Sequence, residues 1–338
     1  MLRPIQNDYG EKPEYLDFAG QIRALASWGI RFDGRYNEEE AKRYLQNNNS
    51  FFRLVSYCDS FEHHSTADGQ RRYEQVDFEQ LVDLSVIDFR LREVLLLLTI
   101  HIEHHLKIKL SGILRQRGFD PLDTVYEFES QGGLNYSLRT ILERAGRSDY
   151  ARDIYAEYEP EVPVWVVLEL LQLGELQVFV NFLRYRLREG SLEREELDHL
   201  FYELGSARSL RNAAAHNTGI LNGLLRQDER ALSDRIYNVL IEAEDADGHY
   251  LFEEQELDDS RMARALKDIT TTLYLHHHLV TSRGVSESIA ERLAELEARF
   301  TKRIPWSLTT TVGQSLDYIS RVIKLWFLLD EGGSHDGV

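Results

Sequence analysis

An arginine, an amide and an imidazole stand within six residues in Leu210-Arg211-Asn212-Ala213-Ala214-Ala215-His216-Asn217, an Ala-rich segment that favours helix. A guanidinium neutralises a phosphate with a forked set of donors, and an imidazole gives or takes a proton near neutral pH. Together they suit phosphodiester cleavage. In RNA the ribose 2′-hydroxyl is itself a nucleophile, so the protein need supply only a base, an acid and positive charge beside the transition state. That chemistry requires no metal. The plain alternative is a helix with a surface arginine and a half-buried histidine.

The same spacing occurs a second time, at Arg194 and His199, but there Glu195, Glu196 and Asp198 surround it. Carboxylates repel a phosphate and pair with an arginine, so that copy reads as a solvated helix face. Five residues apart on an ideal helix, Arg211 and His216 point about 140° away from each other. One straight helix does not aim both at one phosphate; a site near a helix start, or one shared across a two-fold axis, would. With one credible Arg-His unit per chain, a composite site holding two of them needs a homodimer.

Other residues compete for roles. Glu169, a carboxylate amid Val166, Leu168 and Leu171, is expected either to hold His216 or Arg211 or to form a buried ion pair. Asp88, Arg92 and Glu103 read as structural pairing on a long helix. His101, His104 and His105 share a helix face at i, i+3 and i+4, which is metal-ligand spacing. No matching cysteine or acidic set accompanies them, and no metal or other cofactor is expected. His276, His277 and His278 are successive and face different ways. Basic clusters at Lys107, Lys109, Arg115 and Arg117 and at Arg184, Arg186 and Arg188 are RNA-binding candidates or solvated helix faces.

The formal charge of −18 argues against indiscriminate nucleic-acid binding. Half of it is local, because nine carboxylates between Glu242 and Asp259 lie in a stretch without Lys or Arg. That stretch reads as a solvated loop, or as a polyanion mimic covering a basic site. The single cysteine, Cys58, rules out an internal disulfide framework. No run has the length of a membrane span, and Arg3, Pro4, Asn7 and Asp8 do not resemble a signal peptide. The expected setting is the cytoplasm, with no membrane partner.

To position these residues the chain offers almost only helices. Six prolines interrupt 338 residues, and apolar residues recur at helical spacing nearly throughout. Helices are expected from Tyr15 to Gly29, from Asn37 over Ala41 and Leu45, and from Ser50 to Phe61, with a turn at Ser65 to Arg72. The longest, from Asp77 to about Arg117, is expected to be the spine. Further helices start at Trp165, continue past a break at Gly174, follow Gly190-Ser191, and open at Gly205-Ser206 to carry Arg211 and His216. The C-terminal third reads as a helix over Ala231 to Ile241, a short strand at His249 to Phe252, three helices, and an unstructured Gly332 to Val338.

Read in order, several stretches resemble the Abi-like family of bacterial abortive infection proteins, placed in the HEPN superfamily of helical ribonucleases. They are Lys12-Pro13 with Gly29; Phe51-Phe52-Arg53-Leu54; Asp88, Leu91, Arg92, Ile102 and Glu103; Pro163, Trp165, Glu169 and Gly174; and Leu210-Arg211-Asn212 with Ala215-His216. The resemblance runs from Lys12 to Leu224. It implies an all-α bundle of HEPN type over residues 73–224, with an N-terminal helical extension (1–72) and a C-terminal helical region (225–338). It also implies a metal-independent endoribonuclease of an anti-phage or toxin-antitoxin system, with its active site at a homodimer interface. Arg211, Asn212 and His216 would then be catalytic, supported by Glu169 and Asn217, and a protein or RNA antitoxin is an expected partner. Two departures stand out. Asn217 replaces the family's second histidine, and Gly219-Ile220-Leu221-Asn222 replaces its Arg-Leu-Trp-Asn run. The missing second histidine and the acidic balance favour an alternative, a catalytically silent RNA- or protein-binding module that partners a toxin.

Overall fold

Asp77 opens the element on which the fold is built. Its carboxylate accepts from the Glu79 amide, Gln80 reaches back to its own amide, and α4 then runs unbroken over Phe78–Gln116. The computed structural model describes residues 16–67, 69–131, 133, 137–245, 247–257 and 262–328. Lys12-Pro13, the helix start at Tyr15 and the Gly332 to Val338 end lie outside them.

The protein is all-α. Before the spine come α1 (Phe18–Ser27), α2 (Glu38–Asn47) and α3 (Phe51–Ser56), which passes into a 3-10 turn at Tyr57–Ser60. A two-residue hairpin, β1 (His64–Ser65) and β2 (Arg71–Arg72), occupies the expected turn. After it come α5 (Pro121–Gln131), α6 (Leu138–Gly146), α7 (Arg152–Tyr158), α8 (Val164–Leu170), α9 (Leu173–Arg184) and α10 (Leu192–Ala215). The C-terminal third adds α11 (Asp234–Ile241), α12 (Arg264–Leu279), α13 (Arg283–Phe300) and α14 (Thr311–Ile323), the last continuing into a π turn at Lys324–Leu328.

The spine serves two hydrophobic clusters in succession. Leu81, Leu84, Ile87, Leu91 and Leu98 pack with α1 to α3 and with α11 to α14. Ile102, Leu106, Leu110 and Ile113 pack with α5, α6, α8, α9 and most of α10. Antiparallel to the spine, α10 crosses between them: Leu197, Leu200, Leu204 and Ala207 lie in the second cluster and Leu210 in the first. The stretch around Arg211 therefore stands where the two cores meet.

Two expected breaks are absent. Gly174 lies inside α9, because the helix is opened by Gln172, whose amide donates to Glu175 Oε2 at 2.7 Å. Gly205-Ser206 lies inside α10, which starts at its cap Ser191. Gly205 admits the Gln177 side chain, which donates to the Phe201 carbonyl at 2.7 Å. Packing against α9 outweighs the helix penalty of a glycine, about 1 kcal/mol. The expected strand at His249 to Phe252 is reduced to a single bridge between Glu244 and Tyr250.

Candidate active site

The last turn of α10 carries Arg211 and Asn212, and His216 is its C-cap. The helix stops there for a reason the sequence holds. Asn217 adopts φ +55°, a left-handed conformation that asparagine tolerates better than most residues. The Thr218 amide then donates to the Ala213 carbonyl at 2.7 Å and the Asn217 amide to that of Ala214 at 3.1 Å. This is a Schellman cap with asparagine where glycine is commonest. Asn217 thus does something a second histidine does less well.

Tertiary contacts fix that cap. Arg92, on the spine, donates to Asn217 Oδ1, and Arg53 of α3 donates to the Asn217 carbonyl at 2.5 Å. Arg92 is itself held by Asp88, from Nε to Oδ2 at 2.8 Å. The fully buried Asp88 carboxylate also accepts from Tyr57 OH at 2.8 Å and from the Ile220 and Leu221 amides at 2.7 Å each. Burial, and then the Asp88 charge, push the Tyr57 hydroxyl far above its ordinary range, so it stays a donor. Ser60 Oγ donates to the Leu221 carbonyl at 2.7 Å. Gly219 fits against Tyr57, whose hydroxyl would lie 3.3 Å from any Cβ there. One buried carboxylate thereby ties the loop after α10 to the spine.

The three candidate catalytic side chains are left unengaged. Asn212 and His216 are exposed and Arg211 half-buried. Among the described residues none of the three makes a side-chain hydrogen bond or ion pair, and no bond joins Arg211 to His216. They sit at a helix carbonyl end, which bears partial negative charge and does not attract a phosphate by itself. Positive charge comes instead from side chains. Arg53 and Arg92 reach the cap, Arg208 lies one turn before Arg211, and Arg226 and Arg264 flank the following loop. Half-buried Asp59 and buried Asp88 neutralise part of this collar, and Asp228 and Asp268 face Arg264.

A model of the Abi-like protein family matches residues 43–222, more than half of the chain. The chain belongs to the Abi-like family. No curated protein and no solved structure matches it. The Abi-like segment ends within the loop that Asp88 holds, so it contains α4, α10 and the whole cap, while Lys12 and Gly29 precede it. Membership in the family carries the expectation of a role in abortive infection. No helix among the described residues is long and apolar enough to cross a membrane.

Other expected residues fall elsewhere. Glu169 is exposed on the same face of α8 as Trp165, and no bond links its side chain to Arg211 or His216. Its carbonyl instead accepts from Lys107 at 2.8 Å, and Lys107 also pairs with Glu103 at 3.4 Å. Arg184 is buried, bound to Asp198 at 3.0 Å and lying 4.4 Å from the Phe201 ring centre, so a polyanion does not reach it. Arg186 pairs with Glu127 at 3.1 Å; Arg188 is exposed. In the acidic stretch Glu256 is bound by Arg321 at 2.8 Å on α14 and has no contact with the collar.

The histidines of the spine do not converge as a triad. His101 Nδ1 meets His276 Nε2 of α12 at 3.2 Å, while His104 turns its ring edge to His105. Burial, then the charges of His101 and His105, hold the His276 imidazole down to about 3. Among the described residues the ligand atoms that gather within 4.8 Å are those of Asp245, Asp247 and His249, all exposed.

Sequence reasoning took Asp88 and Arg92 as structural pairing, and they are; it missed that the pair reaches Asn217. Arg53 belongs to the Phe51-Phe52-Arg53-Leu54 stretch, and the sequence alone gives it no role at the cap. Tyr57, Arg226 and Arg264 carried no signal, since each meets the site across more than 30 residues of chain or by fold alone.

Proposed function

We propose that this Abi-like chain is an endoribonuclease of abortive infection, acting in the cytoplasm on RNA at the end of α10. One observation carries the reading. Arg211, Asn212 and His216 stand free on a backbone that Asp88, Arg92 and Arg53 pin in place, within a collar of arginines on an acidic protein. Unengaged polar side chains on a rigid support are what transition-state binding requires.

In the reaction His216 takes the proton of the 2′-hydroxyl as its oxygen attacks phosphorus. Arg211 stabilises the added negative charge and Asn212 orients the phosphate. The 5′-oxygen leaves and acquires a proton, giving a 2′,3′-cyclic phosphate and a 5′-hydroxyl end. With Arg211 and His216 about 140° apart on the helix, and His216 the one candidate catalytic imidazole of each chain, a second copy related by a two-fold axis supplies the complementary acid. A protein or RNA antitoxin would hold the site silent by covering the collar.

Asn217 favours a second reading. It is committed as the helix cap, so no second imidazole follows His216, and a silent RNA- or protein-binding module would need none. The two readings separate when wild type and His216→Ala are incubated with total RNA in excess chelator and new ends are mapped. Cyclic-phosphate ends from wild type only are the expected result. RNA binding without turnover in either protein would overturn the enzyme and leave the module.

A further inference from the structure

Beside the pinned loop lies a cleft of about 560 Å³ between the end of α10, residues 218–228 and the start of α12. Ser209 and Ala213 of α10 line it, and so does Thr218. His216 lies seven residues past Ser209 and three past Ala213, within about 20° and 60° of them around the helix, so it stands over the same side. Arg211 does not: it turns toward Leu204 and Arg208, about 20° and 60° away. The cleft therefore opens on the imidazole side of the site.

Its lining has two chemical characters. Asp268 and Asp228 lie in the floor, with side chains only 6% and 18% exposed; Arg230 already binds Asp228 at 2.7 and 3.0 Å, whereas Asp268 has Ser206 and a 3.4 Å contact with Arg264. Burial pushes the Asp268 carboxyl up, against the pull of Ser206 and of Arg230 and Arg264. At the rim Arg264 is 57% exposed and loosely held, 3.4 Å from Asp268 and 3.9 Å from Asp228, and Arg226 is 62% exposed beside Asp59. The half-sequestered Asp268 carboxylate calls for an N–H donor, and the exposed Arg264 guanidinium above it calls for an anion. A nucleotide combines both, through its base edge and its phosphate.

Resting on the ribonuclease reading, we propose that this cleft is a base-binding subsite. In it the nucleotide next to the scissile phosphate places its base against Asp268 and its phosphate under Arg264. The loop that forms one wall is held by the protein itself, because Asp88 accepts from the Ile220 and Leu221 amides.

The test measures binding apart from turnover. A labelled 2′-O-methyl RNA octamer of mixed sequence, which lacks the nucleophile, is titrated into the full chain as wild type, Arg264→Ala, Arg264→Lys and Arg283→Ala. Arg283 is an exposed control on α13. Arg264→Ala is expected to weaken binding about tenfold, with Arg264→Lys between and Arg283→Ala within about twofold of wild type. The four nucleoside 5′-monophosphates are added as competitors and are expected to displace the octamer only weakly. Equal binding by wild type and Arg264→Ala, while His216→Ala still abolishes cleavage of natural RNA, would overturn the subsite and leave the enzyme standing. Displacement by a monophosphate at the octamer's own affinity would make the ligand a free nucleotide and overturn the strand subsite. Absence of both binding and cleavage in wild type would sink the two together.

Discussion

Helix α10 carries the same arginine-to-histidine spacing at both of its ends, and the two copies have opposite fates. At the start, Arg194 donates to Asp198 at 3.0 Å and to the Arg184 carbonyl, and lies 4.6 Å from the Tyr185 ring centre. The sequence suggested a solvated face there; the arginine is paired as expected but largely buried, since α9 packs over it. At the end, Arg211 and His216 have no such partners and the backbone beneath them is tied down instead. A spacing becomes a candidate site only where the fold spends its contacts on the backbone and leaves the side chains free.

The widest test of this contrast is a pair of alanine variants. His216→Ala is expected to lower RNA cleavage by about 10²–10⁴-fold, the usual worth of a general acid or base, and His199→Ala to leave it within about twofold. Equal losses would show that the spacing and not its setting matters.

Asp88 distinguishes the ends through stability. Asp88→Ala leaves Arg92 uncompensated and two buried amides unpaired, and should cost about 3–5 kcal/mol in denaturant unfolding. Asp88→Asn, which keeps an acceptor, should lose clearly less. If Asp88→Ala unfolds at the wild-type denaturant midpoint, the pinning of the α10 end is wrong.

His276 sharpens the contrast between a free and a buried imidazole. Its folded-state value of about 3 is below the ordinary 6.5, so the unfolded chain binds the proton more tightly. Stability from this group is therefore lost as pH falls from about 6.5 toward 3, by about 2 kcal/mol at pH 5. Glu196 acts in the same sense lower down. Burial pushes it up, but the His278 bond and the charges of Lys109 and Arg235 hold it to about 2, so its share is lost as pH falls below its ordinary 4.5. Thermal scans of His276→Leu should show a flatter dependence between pH 6.5 and 5; an unchanged slope would assign the acid sensitivity elsewhere.

Smaller effects complete the series. Asn217→Ala places an alanine at positive φ and removes the Arg92 acceptor, and should cost about 1–2 kcal/mol and some cleavage. Asn217→Gly should recover the backbone part only. Arg211→Ala should leave stability within about 0.5 kcal/mol while cutting cleavage, whereas Arg194→Ala should cost about 1 kcal/mol and spare it. Thermal shift and RNA-cleavage rates on the same four proteins decide the matter.

Much of this was legible without coordinates. Periodicity marked the all-α class and the spine from Asp77 to about Arg117, because a long apolar stripe is a local signal. Glycine was over-read. Gly174 and Gly205 looked like breaks, but each serves a close approach between α9 and α10 inside a helix. Glu169 was misjudged because a carboxylate among valines and leucines lies on the exposed fourth face as readily as on a buried one.

The sequence by itself determined which side chains are chemically competent, Arg211, Asn212 and His216, since that depends on residue type. The tertiary structure decided that these side chains stay unengaged, that their helix ends in a cap at Asn217, that Asp88 holds the loop beyond them, and that Arg53 and Arg264 reach that cap and loop from distant parts of the chain. Local propensity acts over a few residues, whereas a carboxylate gathering amides 132 and 133 positions away is set only when the spine and α10 pack.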